Sequence, residues 1–389
     1  MSKFDDMISG LQKDIEVPEK VWAKYTDTLS QLPDKPVQEV HKIPKKRMWP
    51  VAAAVALMVG TISVSAAVYI QWSKGLDEGL QTTQEQRQTL EENQMASFVN
   101  QSVTQGDVTV TAYQSIVDNH FAYLSFKVEG YKAEDGVEPG FSGIDVVVGD
   151  GSTDYTGGWS GSFYDGLVIG NDGKTYHADG TPYGDKEVSY TMEDGSLEYQ
   201  IVMTSDQEGY FVDKPIHVEF KDLGLAGEKA GPVEVKAPGD WAFDWTLTGS
   251  EEVQTYELNA PLGDSGATVQ QAELSPISIS LKYDFPRQEI EETAIDENGE
   301  ETTHMTYEEP PVFTGVQLKD GTIYTCLAGG GVTGYKGEET NVYEYIANLN
   351  RVIDVNQVES LLFLKQAYPE NQADQQFAQD NLYFVPINE

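Results

Sequence analysis

Residues 108–128 read VTVTAYQSIVDNHFAYLSFKV: apolar and polar positions alternate, pause at Asp118-Asn119 and resume from Phe121. Side chains that switch face at every residue belong to half-buried β-strands, and a polar pair between two such runs marks the turn that joins them. The signature recurs downstream. Residues 188–192 and 197–203 flank Glu193-Asp194-Gly195 as a hairpin, and 216–220 and 241–247 follow. Residues 134–187 are dense in Gly, Asp and Tyr and read as long decorated loops. A second set starts near Val253: residues 272–285, a hairpin tip at Glu297-Asn298-Gly299, then 312–318, 322–327, 342–347 and 358–364. This spacing predicts a mainly β part made of two antiparallel β-sandwich-like domains, residues 102–250 and 251–389.

Upstream the pattern changes. Residues 49–71, WPVAAAVALMVGTISVSAAVYIQ, carry no charge, and at about 1.5 Å per residue they reach across the roughly 30 Å of a bilayer's hydrocarbon. Trp49 stands at one end, and Tyr69 and Trp72 at the other, where aromatic belts lie. Lys42, Lys45, Lys46 and Arg47 precede the span, so the positive-inside rule puts Met1 in the cytoplasm and the C-terminus outside. The expected location is the cell membrane, as a single-pass protein in contact with the lipid bilayer. A cleaved signal peptide is the competing reading, because Ser63-Val64-Ser65-Ala66-Ala67 mimics a cleavage site, but its leader and apolar core would be shorter. Ala52, Ala56 and Gly60 fall four apart, a small-residue face through which two copies could form a homodimer. Residues 72–101, rich in Gln and Glu, read as a solvated helical stalk about 40 Å long.

Charge divides at the span. Of 25 basic and 64 acidic residues, positions 1–48 hold 9 and 8, leaving 16 and 56 on the remainder. A net charge of −39 argues against a nucleic-acid partner, since a polyanion repels phosphate. The single Cys326 rules out an internal disulfide.

The short helical cytoplasmic stub, residues 1–48, has apolar faces with nothing of its own to cover them. Phe4, Met7, Ile8 and Leu11 fall on one side of a first helix; Val21, Trp22, Tyr25, Leu29 and Leu32 fall on one side of a second that opens at Pro18 and stops at Pro33. Two such helices cannot bury enough surface to fold alone, so these faces require the inner leaflet or a protein partner.

The segments IEVPEKVWAKYTDTLSQL (15–32), VTVTAYQSIVDNHFAYLSFKVEG (108–130), GDWAFDWTL (239–247), ISISLKYDF (277–285), LKDGT (318–322) and IDVNQVESLLFL (353–364) resemble a family of Gram-positive membrane proteins. Its members are anti-sigma-factor-like, pair with extracytoplasmic-function sigma factors and carry an uncharacterised ectodomain. The resemblance implies that the stub binds a sigma factor and brings no catalytic residues.

No constellation rises to an enzyme, a cofactor or a metal site. Cys326 has no nearby His and reads as a buried small residue. His177 near Asp172 and Asp179, and the set Asp145, Asp150 and Asp154, lack a full calcium-loop spacing; Asp296 to Glu300 is better explained as a hairpin tip. Ala328 to Gly331 lacks the helix and Lys of a phosphate cradle. Trp241, Phe243 and Trp245 share a strand face, as core packing requires; the alternative is a glycan-stacking platform, for which Tyr155, Trp159 and Tyr164 are further candidates. The leading expectation is a transmembrane regulator, with proteolysis near Gly60, Thr61, Ser63 and Ser65 as one route for the signal. The alternative is a surface-anchored adhesion protein recognising cell-wall glycan or another protein.

Overall fold

A computed structural model of the chain describes residues 72–387 apart from 135, 152–156, 228–232, 296–300, 338–339 and 369–372. The stub, the basic patch, the expected span and its Ala52-Ala56-Gly60 face lie outside the described residues. Among the described residues no helix is long and apolar enough to cross a membrane. They are mainly β, in several antiparallel sheets with few helices.

Helices α1 (Lys74–Gly79) and α2 (Gln84–Glu92) come first. They are followed by β1 (Ala96–Gln105), β2 (Val108–Val117), β3 (Phe121–Glu129), β4 (Pro139–Val148), β5 (Gly157–Phe163), β6 (Leu167–Ile169), β7 (Thr175–His177), β8 (Leu197–Ser205), β9 (Pro215–Leu225) and β10 (Glu234–Thr246). One sheet has the order β1-β2-β3-β8-β5 and a second the order β10-β9-β4. Alternation explains why they share a core. Val110, Leu124, Phe126 and Ile201 of the first meet Phe141, Val218, Phe220, Trp241 and Phe243 of the second. Phe126 and Phe220 meet edge to face, their centroids 4.8 Å apart, a geometry that aromatic quadrupoles favour.

The rest repeats the plan with β11 (Gln254–Pro261), β12 (Thr268–Leu274), β13 (Ser278–Asp284), β14 (Glu289–Ile295), β15 (Glu301–Tyr307), β16 (Phe313–Leu318), β17 (Ile323–Tyr324), β18 (Ala328–Tyr335), β19 (Val342–Leu349), β20 (Val358–Leu364), α3 (Ala373–Gln376) and β21 (Leu382–Pro386). Sheet β11-β12-β13-β19-β18 packs Leu281, Tyr283 and Leu349 against Phe313, Val316, Leu361 and Phe363 of sheet β17-β16-β20-β21. Among the described residues, strands β14 and β15 pair only with each other, as a separate hairpin.

Four features differ from the sequence reading. Residues 188–192 form no strand, because both edges of β8 are taken by β3 and β5. The loop-like region 134–187 contains β4 and β5, whose glycines (PGFSGIDVVV and GGWSGSF) mask their strand character. Residues 272–285 split into β12 and β13 at Ser275-Pro276-Ile277, where Pro276 offers no N–H to a ladder. The largest correction concerns 72–101. It is no solvated stalk: two short helices stand there, β1 has begun by Ala96, and Trp72, Leu76, Leu80 and Leu90 are buried. Those four apolar residues are covered by side chains distant in sequence, Ile277, Ile346 and Val352 among them.

Candidate functional site at the seam between the β cores

The chain from Trp72 onward is built at once into the junction between the two β cores. Trp72, Leu76, Leu80, Leu90 and Met95 pack with Ile116, Phe121 and Tyr123 on one side and with Ile277, Ile346 and Val352 on the other. Trp72, expected in an interfacial belt, is 9% exposed, and its indole N–H donates to Glu91 Oε1 at 2.6 Å.

Polar contacts fix this segment on both sides of the seam. Ser73 caps α1; its backbone N–H donates to Gln114 Oε1 at 2.9 Å, and its hydroxyl donates to Glu198 and accepts from Ser125. Buried Glu198 of β8 also accepts the N–H groups of Gly75 at 2.9 Å and Leu76 at 3.2 Å. A helix's first N–H groups have no internal acceptor and favour a negative charge, so Glu198 answers both needs of α1. Gly75 permits the approach, for a Cβ there would lie 2.7 Å from Glu198 Oε1. On the other side Val352 N–H donates to Leu80 O at 2.9 Å, Gln86 Nε2 donates to Val352 O at 2.9 Å, and Arg351 donates to Gln81. Thr83 and Gln86 form a reciprocal capping box that starts α2.

A second tie joins the two β cores directly. Asp118, fully buried in the β2–β3 turn, accepts from the N–H groups of His120 (3.0 Å) and Phe121 (2.8 Å) and from the hydroxyls of Ser275 and Ser278 in the β12–β13 turn. A buried carboxylate requires such a full set of donors. The β6–β7 excursion adds a brace: Tyr164 donates to Glu78 at 2.9 Å, with burial and then Glu78 raising its phenol's pKa, and Thr325 donates to Asn171 O.

Beside this junction lies a groove of about 680 Å³. Its lining includes Phe121, Val202 and Thr204, the β5 stretch Gly157 to Ser160, and, opposite, Gly330 to Thr333 of β18 with Asn348 of β19. Gly158 and Ser160 pair with Thr204 and Val202, and Thr204 with Phe121, so these side chains share the seam-facing side. Trp159, 40% exposed, pairs instead with core Met203, so its side chain lies toward the other face of the sheet.

Other flagged residues are absorbed locally. Trp241 and Phe243 are buried in the core, with Trp245 packed partly against it. Cys326 is half-buried, and burial followed by nearby Asp172 pushes its thiol's pKa up. Asp172 accepts from Tyr176 at 2.8 Å and Asp179 from Lys186 at 2.5 Å. Among the described residues no group of three or more His, Cys, Asp or Glu is placed to hold a metal ion. Asp154, Tyr155 and the stub residues lie outside the described residues. Glu198, Asp118 and the apolar set of the seam went unread in the sequence; the i, i+4, i+8 spacing of Trp72, Leu76 and Leu80 was the one local signal.

No curated protein matches this chain. A solved structure, the crystal structure of the conserved domain protein from Bacillus anthracis, is similar at 13% identity and a TM-score of 0.39, over 76% of this chain and 91% of that one. Residues 42–130, from the basic patch through α1 and α2 to the end of β3, match a family described as a domain of unknown function, DUF4179.

Proposed function

We propose that this protein is a membrane-anchored, anti-sigma-factor-like regulator. Residues 49–71 span the membrane, the stub holds an extracytoplasmic-function sigma factor away from RNA polymerase, and the two sandwich-like β domains outside sense an envelope condition. One observation carries the reading. The residues that directly follow the expected span are clamped between two β cores, by Glu198 and Gln114 on one side and Val352 and Arg351 on the other. A tether for an adhesion domain needs only a flexible spacer; a relay needs its membrane-proximal end to move with the domain it reports on. The DUF4179 match adds support, since that family often occurs in anti-sigma-factor-like proteins.

The test is capture of sigma factors by the full chain purified in detergent. The regulator binds one, and Trp22→Ala weakens that binding by about 2 kcal/mol or more if Trp22 anchors the contact. Failure of every sigma factor of the host to bind would sink the reading. Deletion of residues 3–32 separates the adhesion alternative: an adhesin keeps its phenotype, and a regulator loses it.

A further inference from the structure

We infer that the free edge of β5 takes up an extended, non-acidic segment of another polypeptide as an added strand. This deepens the regulator reading by naming what the outer part senses, and it rests on that reading for where the signal goes. Among the described residues β5 ends its five-stranded sheet and pairs with β8 alone.

Register fixes which backbone groups β5 leaves open. Tyr164 N–H donates to Glu198 O at 2.8 Å, and on the other side of β8 Ser205 N–H donates to His120 O at 3.0 Å. Hydrogen-bonded pairs recur at every second residue of an antiparallel ladder. The even-numbered residues of β8 therefore serve β5, and the odd-numbered ones serve β3. Gly158, Ser160 and Ser162 bond inward, and the N–H and C=O groups of exposed Trp159 and Gly161 point away from the sheet. Donors and acceptors alternating at this pitch match one chemistry, the backbone of another extended chain.

Proteins ordinarily blunt such edges with charge, proline, bulges or brevity. Every other sheet edge among the described residues does so. Strands β4 and β10 carry Asp145 and Lys236, β11, β14 and β15 carry glutamates, and β21 carries Pro386. Strands β1 and β18 have register shifts, and β6, β7 and β17 are two or three residues long. Strand β5, GGWSGSF, runs seven residues in unbroken register with none of these devices. Its Trp159 is a large exposed ring of the kind that anchors an interface once a partner covers it. Charge selects the partner. A second copy would bring another −39 to the edge, whereas a basic strand is attracted to it.

The test adds the octapeptide Lys-Thr-Val-Thr-Tyr-Thr-Val-Lys to the full chain in detergent micelles, read by calorimetry and by amide exchange. It should bind with a Kd of about 0.1 mM or tighter, and slow the exchange of the Trp159 and Gly161 N–H groups, which is fast in the free chain. The same peptide N-methylated at its inner residues keeps its charge and side chains and should bind at least about tenfold more weakly. Trp159→Pro removes an outward N–H and spares the ladder to β8; Trp159→Val, which keeps that N–H, should bind the peptide about tenfold more tightly than the proline variant. If Trp159→Pro melts early, the N-methylated peptide decides alone. Absence of binding overturns the proposal, as does equal binding of the N-methylated peptide or an equal loss in two well-folded variants. Slow exchange at Trp159 and Gly161 before any peptide is added overturns it too: at every protein concentration it means that the chain covers its own edge, and only at high concentration that a second copy does. Sigma-factor capture is scored separately: capture without peptide binding rejects this ligand alone, and peptide binding without capture rejects the regulator alone.

Discussion

Two acidic, glutamine- or glutamate-rich stretches of this chain look alike on paper and behave in opposite ways. Residues 74–92 include LDEGLQTTQEQRQTLEE, and the β14–β15 hairpin reads EIEETAI and ETTHMTY on its two strands. The first is folded into the seam, with Leu76, Leu80 and Leu90 buried. The second pairs only with itself, and its Ile290, Met305 and Tyr307 are exposed. Composition does not separate them. What does is whether the few apolar residues recur at a helical spacing that meets a ready-made apolar surface, here the outer faces of two five-stranded sheets.

The comparison can be broken most directly by truncating one apolar residue in each. Leu90→Ala should cost about 3 kcal/mol of unfolding free energy, by lost transfer plus a cavity, while Ile290→Ala on the hairpin should stay within about 0.5 kcal/mol. Denaturant titration of the two variants decides it; equal losses would mean the seam is not packed as described. Next comes Glu198→Ala, which leaves Ser73 and the first N–H groups of α1 without their acceptor. A loss of about 2 kcal/mol is expected, with a loosened helix 1 visible as faster amide exchange at Gly75 and Leu76. Thr83→Ala removes the cap of α2 and should cost about 1 kcal/mol.

The smallest effect is a matter of pH. Burial first, and then Glu208 across the seam, raise the pKa of Glu273 on β12. A carboxyl whose pKa is raised by folding prefers to be neutral in the fold. Its charged form therefore lowers stability as pH climbs from the ordinary carboxylate range through the raised value. Glu273→Gln should unfold at a higher temperature than wild type at neutral pH, with the advantage vanishing below about pH 4, where the wild-type carboxyl is already neutral. The matching change on the hairpin, Glu291→Gln, should leave both melting curves alike. A Glu273→Gln protein less stable than wild type at neutral pH would contradict the placement of these two carboxyls.

Much of the β architecture was legible residue by residue. Strands β2 and β3 follow from alternation around Asp118-Asn119, β20 runs end to end over 358–364, and Trp241 and Phe243 fill a core. The seam was not legible, for a physical reason. Glu198 sits in its strand like any solvent-facing acid, and only a helix more than a hundred residues away in sequence makes it an anchor. Asp118 reads as turn filler until the Ser275-Pro276 turn, more than 150 residues on, closes on it. Trp159 and the Ala328–Gly331 run each drew notice in the sequence; their meeting across one groove depends on how two sheets face each other, which periodicity does not encode.

The central claim is that the segment from Trp72 to Met95 is part of the core of the β-rich part and so moves with it. Hydrogen exchange on the full chain in a bilayer disc tests this directly, at the N–H groups of Leu80, Arg87 and Met95, which bond to Leu76, Thr83 and Leu90. Protection comparable with that of β2 and β3, and far above that of β14 and β15, is the predicted result. Exchange there as fast as in the hairpin would contradict the account.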